Sequence, residues 1–179
     1  YLTQTFGKTD YLSGHHTLRA RITPWTRAAR IMRPSYRMPG PRILREGTPY
    51  VHTADWHDIR ESLAWLQSHR DDEQPFWLYV GIRAPHPAFT ISQHYLDMID
   101  PKQVQMPPTD VPQHPSLQYS RVARNWQHGF DQQTVHQVRH IYLAMIAEVD
   151  AMVGALLDAL NQYRLQDTTY VIFTGDHGE

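Results

Sequence analysis

The sequence predicts an α/β domain built on a central, largely parallel sheet with flanking helices. Three observations predict it. The run PFWLYVGI, Pro75 to Ile82, is continuously apolar and bounded by turn residues, the pattern of a strand buried on both faces. From Asp131 to about Tyr163, the residues Val135, Val138, Tyr142, Met145, Val149, Met152, Leu156 and Leu160 recur at three- and four-residue spacing. That stripe marks a long helix with one buried face. A second β-branched and aromatic run then spans Thr169 to Thr174. Strand, long helix, strand is a parallel βαβ unit with a right-handed crossover, so both strands' carboxyl ends share one edge of the sheet.

The remaining elements follow in order. Tyr1 to Phe6 alternates apolar and polar residues, a short strand handing off to Gly7-Lys8. From Asp10 to Pro49 the sequence is loop-like, with Pro24, Pro34, Pro39, Pro41 and Pro49 and no sustained period. Thr53 or Asp55 is placed to cap a helix running to about His69, with Trp56, Ile59, Leu63 and Leu66 on one face. The polar link Arg70 to Gln74 leads into the Phe76–Ile82 strand, which stops at Arg83-Ala84-Pro85-His86-Pro87, a histidine held between two prolines. Pro101 to Pro115 is a second proline-rich loop before the long helix, whose N-cap is Asp131.

Composition sets bounds. With 179 residues, 41% of them apolar, the chain is long enough to bury a core. Lys+Arg 17 against Asp+Glu 18 leaves almost no net field, which gives no basis for a nucleic-acid or anionic-membrane partner. No stretch approaches the roughly 18 consecutive apolar residues of a membrane span. The absence of cysteine excludes disulfides, zinc-thiolate sites and a cysteine-derived nucleophile within this stretch. No Asn-x-Ser/Thr sequon occurs, because Asn125 and Asn161 lack the third residue. Tyr1 rather than Met at the start, and Glu179 directly after a strand, read as an internal fragment.

The chemistry concentrates at strand ends. A buried strand that breaks at Gly175 onto Asp176-His177 sets a hard oxygen ligand and an imidazole where α/β sheets bind ligands and metals. The tetrapeptide alone equally fits a helix-capping aspartate beside an ordinary loop histidine. His86 lies after the other strand, on the same predicted edge, and by itself fits a structural loop residue as well as a functional one. Lys8 after Gly7 is, taken alone, a solvated turn lysine.

Three segments together resemble the sulfatase family of the alkaline-phosphatase-like superfamily. PFWLYVGIRAPHPAF is similar to its strand and Pro-His turn, IYLAMIAEVDAMVGALLDAL to its long helix, and TYVIFTGDHGE to its metal strand. The opening FGKTDYLSGHHTLRARITPWTR narrows the match. Asp10 stands where most members carry a histidine, and Lys-x-Asp-Tyr with a following Ser-Gly-His-His resembles a branch acting on the 2-sulfate of glucuronate in glycosaminoglycans. The likeness covers nearly the whole chain and is weakest from Ile91 to Gln127.

The resemblance implies that residues 1–179 are an internal fragment of a single sulfatase N-terminal catalytic domain, incomplete at both ends. Asp176 and His177 become ligands of one divalent cation, calcium in most members, although imidazole suits softer ions. Lys8 and His86 become catalytic, substrate-binding contacts to the sulfate, and His16, with its neighbour His15, a further residue lining the substrate site. Arg19, Arg21 and Arg27 fit either a solvated face or a uronate-carboxylate contact, and Asp150 a helix-surface contact. The early aspartates, the formylglycine-forming Cys or Ser and a later lysine are absent from this stretch. The implied partner is a sulfated uronic-acid glycan. The implied location is lysosomal or secreted, or periplasmic or extracellular in a bacterium. Two alternatives stay open: a phosphomonoester or phosphonate hydrolase of the same superfamily, and a non-catalytic glycan-binding relative.

Overall fold

The computed structural model describes residues 1–8, 41–108, 114–123 and 130–178. Strand β1, Leu2–Gly7, pairs in parallel with β3, Phe76–Gly81, in the register Leu2↔Phe76 to Gly7↔Gly81. A second parallel pair joins β2, Arg42–Leu44, to β4, Thr90–Ser92. Helix α1 spans Thr53–Ser68, the short α2 Gln93–Leu96, α3 Pro115–Ala123, and the long α4 Gln132–Gln162. Single 3-10 turns occupy Pro101–Gln103 and Gln166–Thr168. The parallel strands and flanking helices are of the α/β kind that the sequence predicts.

Helix α4 organises the core. Asp131 caps it as expected: its carboxylate accepts from Thr134 N at 2.7 Å and Thr134 Oγ1 at 2.9 Å. The first half of α4 buries Ile141, Ala144 and Met145 against Ile91, Tyr95 and Leu96 of β4 and α2. The second half buries Ala159 and Leu160 against Leu66 of α1, with Phe76 and Leu78 of β3 packed on them. Each large side chain fully removed from water contributes about 1.5–3 kcal/mol, so the two clusters tie the strands to the helices. At its start, α4 also staples residues 99–105: His136 Nε2 meets Pro101 O at 2.9 Å, His140 Nε2 meets Ile99 O at 2.8 Å, and Arg139 Nε donates to Gln105 O.

Four expectations are corrected. Residues 169–174 form no strand: Tyr170 is 99% exposed and Ile172 76%, and no ladder reaches them, so β3 takes β1 as its neighbour. An apolar run supplies strand propensity, but a strand also needs a ladder to a partner, and residues 169–174 make none among the described residues. The strand β3 is covered on one face only. Phe76, Leu78 and Val80 are half-buried, while Trp77 and Tyr79 are exposed, because α1 and α4 cover a single side. Neither Thr53 nor Asp55 caps α1; His52 holds the N-cap position without a side-chain bond. Finally, the stretch read as loop to Pro49 contains β2, where a single half-buried residue, Ile43, gives too short a pattern to read.

Candidate functional site

The register of β1 and β3 decides where the site residues lie. Because the strands run parallel and end together at Gly7 and Gly81, Lys8 and the Ile82–Pro87 turn emerge from the same edge. Lys8 N donates to Gly81 O at 2.8 Å, and Tyr79 Oη donates to Lys8 O at 3.3 Å, so the lysine backbone is held between two groups of β3. Gly7 has φ +77°, and a Cβ at either Gly7 or Gly81 would strike backbone of the opposite strand. Both glycines permit this close approach.

The turn after β3 is hung from α1. Arg83 N donates to Asp55 Oδ1 at 3.1 Å and Ala84 N to Asp55 Oδ2 at 2.9 Å. The Arg83 guanidinium also bonds Asp55 at 3.0 Å and Asp58 at 2.7 Å, and those bonds, Asp58 first, push its pKa up. His86 N donates to Arg83 O at 3.1 Å, closing the turn. The exposed His86 ring places Nδ1 2.7 Å from Pro87 O. A carbonyl only accepts, so Nδ1 carries the proton and Nε2 is the ring atom left to face outward.

Asp176 and His177 lie in the exposed segment following Thr174. His177 N donates to Asp176 Oδ1 at 3.0 Å, His177 Nδ1 to Gly178 O at 2.8 Å, and His177 Nε2 lies 3.8 Å from Asp176 Oδ2. The backbone bond from His177, its ring charge and the charge of Lys8 together lower the Asp176 pKa. Lys8 therefore sits within electrostatic reach of Asp176, from the other end of the sequence. Gly178 approaches Tyr142 of α4, which packs edge-on against Phe89 beyond the His86 turn.

As a cation site this pair is a partial fit. One carboxylate and one imidazole supply two donors, whereas a calcium-like ion takes about six to eight oxygens. No group of three or more His, Cys, Asp or Glu side chains arranged for a metal occurs among the described residues. His16, with His15, Asp10 and the three arginines, lies outside the described residues. Asp150 is exposed on α4, in keeping with a surface contact.

Two buried carboxylates were missed by the sequence reading. Asp55 is 2% exposed and Glu148 0%. Glu148 Oε1 accepts from Val51 N at 2.9 Å, His52 N at 3.1 Å and Trp56 Nε1 at 2.9 Å, while Oε2 meets His52 Nδ1 at 2.7 Å. Burial pushes the Glu148 pKa up, but the bonds from His52 and Trp56 outweigh it and the net direction is down. The signal for both was spacing: Glu148 stands three after Met145, and Asp55 four before Ile59, each on a buried helical face.

A sulfatase family profile matches residues 8–179. Over its whole length the chain is 34% identical to Arylsulfatase K of Xenopus laevis, across 200 aligned positions amounting to 37% of that protein. It is 33% identical to Arylsulfatase K of Bos taurus and 32% to that of Homo sapiens, again over the whole chain and 36% and 37% of those proteins. The chain thus spans little more than a third of the length of these curated relatives. No helix among the described residues is long and apolar enough to cross a membrane.

Proposed function

The chain belongs to the sulfatase family, and on that premise we propose that it forms part of the catalytic domain of a metal-dependent sulfuric ester hydrolase. The substrate we propose is a sulfated uronic-acid glycan, carrying the 2-O-sulfate of glucuronate in glycosaminoglycans. The observation that carries this reading is the shared edge: Lys8 and the His86 turn leave paired parallel strands side by side.

Each residue has work suited to a sulfate ester. The transferring group is ringed by anionic oxygens, so the site must present fixed positive charge and donors to them. Lys8 brings an ammonium with three donors. His86, with Nδ1 committed to Pro87 O, offers Nε2 to an ester oxygen and, when protonated, donates to it. Asp176 and His177 are two of the groups that would hold the divalent cation, calcium in our reading, with further ligands coming from outside residues 1–179. When bound, that cation would supply the charge that orients the nucleophile and offsets the sulfate oxygens. The nucleophile we propose is a formylglycine outside this stretch, which has no cysteine.

The test is made on the whole protein with a 2-sulfated uronate disaccharide, an aryl sulfate and an aryl phosphate. Asp176→Ala is expected to lose both bound metal and turnover. Lys8→Ala and His86→Ala are expected to keep the metal and lose mainly kcat. Normal metal content in Asp176→Ala, or faster turnover of the phosphate than of either sulfate, overturns the reading.

A further inference from the structure

Resting on that reading of the edge site, we propose that Asp55 is the positioning residue for His86: its buried carboxylate fixes the turn that presents the imidazole. Asp55 belongs to the first turn of α1, where an aspartate would ordinarily serve its own helix. Instead both its oxygens leave the helix and accept from two successive backbone N–H groups, those of Arg83 and Ala84. Two acceptors on one rigid carboxylate fix both the position and the direction of the chain as it leaves β3. The turn is then closed by His86 N on Arg83 O, so a single residue, Pro85, separates the clamp from His86.

The clamp itself is anchored. Ile59 and Ser62, on the same face of α1 as Asp55, are fully buried. The loop entering α1 and the Trp56 indole are held by Glu148 of α4. Asp58, one turn on from Asp55, holds the Arg83 guanidinium, and a Cβ at Gly7 would come within 3.3 Å of it. The start of α1 thus braces both strand ends, the one leading to Lys8 and the one leading to His86. The Arg83 side chain is 46% exposed, so its pairing with Asp58 is a solvated addition, whereas the two backbone bonds to Asp55 are sheltered.

The experiment is a double-mutant cycle in the whole protein, with kcat and KM measured on the 2-sulfated disaccharide for Asp55→Asn, His86→Ala and the pair. The amide keeps the shape of the carboxylate but turns one acceptor into a donor facing a backbone N–H. Misplacing a substrate contact by about 1 Å costs on the order of 10²-fold in rate, so Asp55→Asn is expected to lose about 10- to 100-fold in kcat with KM little changed. In the double variant, kcat is expected to match that of His86→Ala alone, because a positioning residue has nothing left to position. Asp58→Asn, which removes only the solvated pairing, is expected to stay within about twofold of wild type.

Multiplying effects in the double variant, or an Asp58→Asn loss as large as that of Asp55→Asn, overturns the proposal. If Asp55→Asn fails to fold, Asp55→Glu, which displaces the carboxylate by one methylene, takes its place. Wild-type kcat in whichever of the two folds also overturns it. Wild-type kcat in His86→Ala alone is a different failure: it removes the assignment of His86 to the site, and the role of Asp55 falls with it.

Discussion

Glu148 offers a sharp test of how the helices are joined. It is fully buried, and its two oxygens take four hydrogen bonds from Val51, His52 and Trp56, more than ninety residues earlier in the chain. Glu148→Ala leaves two backbone N–H groups, an imidazole and an indole facing a void. Stranding a buried donor costs about 1–3 kcal/mol, and with several stranded at once the expected loss is about 3–5 kcal/mol. For a cooperative unit of this size each kcal/mol lowers Tm by about 2–4 °C, so the melt is expected to fall by roughly 6–20 °C. Glu148→Gln keeps one acceptor oxygen and loses the charge, with an expected cost of about 1–3 kcal/mol. Glu148→Leu restores volume but no acceptor, and is expected to resemble alanine more than wild type. Thermal melts of the four proteins, followed by circular dichroism and by indole fluorescence, give the ranking. A glutamine variant that melts with wild type, or a leucine variant that is more stable, would refute the account of Glu148 as a clasp. The pH dependence has a definite sign. A carboxylate whose native pKa is lowered stabilises the fold above its unfolded value, and that contribution is lost as pH falls through the native one. Wild type is therefore expected to lose stability below about pH 4.3, over a window in which Glu148→Gln is flatter.

Other expectations can be checked together. Gly81→Ala drives a methyl into the Lys8 backbone and is expected to cost more than about 2 kcal/mol, read as a lower Tm, with Lys8 displaced. Asp131→Ala removes both bonds to Thr134, and faster amide hydrogen exchange at Thr134 is expected, with the middle of α4 unchanged. The 179-residue chain expressed by itself is expected to turn over no aryl sulfate, since it has no cysteine to become the proposed nucleophile; turnover there would show that nucleophile to be misplaced.

The sequence was most legible where one physical signal dominated. The stripe and cap of α4 were readable because a helix of 31 residues repeats its period many times. The strand Phe76–Gly81 was readable from its apolar run, but its one-sided burial was not, because Trp77 and Tyr79 are apolar whether covered or bare. The run 169–174 misled for a related reason: propensity belongs to the segment, and a ladder belongs to two segments. In the site, residue types suggested Lys8, His86 and Asp176, yet the Asp55 clamp stayed hidden. An aspartate in a first helical turn ordinarily reads as a contact within its own helix, and only the fold shows its oxygens turned toward another turn.

The staples at the start of α4 have a consequence for how the chain tolerates variation in length. His136, Arg139 and His140 pin residues 99–105 to the same end of the helix that Asp131 caps. Whatever lies between Gln105 and Asp131 therefore begins and ends at anchored points. Loop-closure entropy grows only logarithmically, so doubling such a stretch costs about 0.6 kcal/mol, well below the worth of the contacts that hold its ends. Residues added or removed between these anchors would therefore leave the strand edge in place. A new specificity loop could be grafted between those anchors while Lys8 and His86 stayed in place.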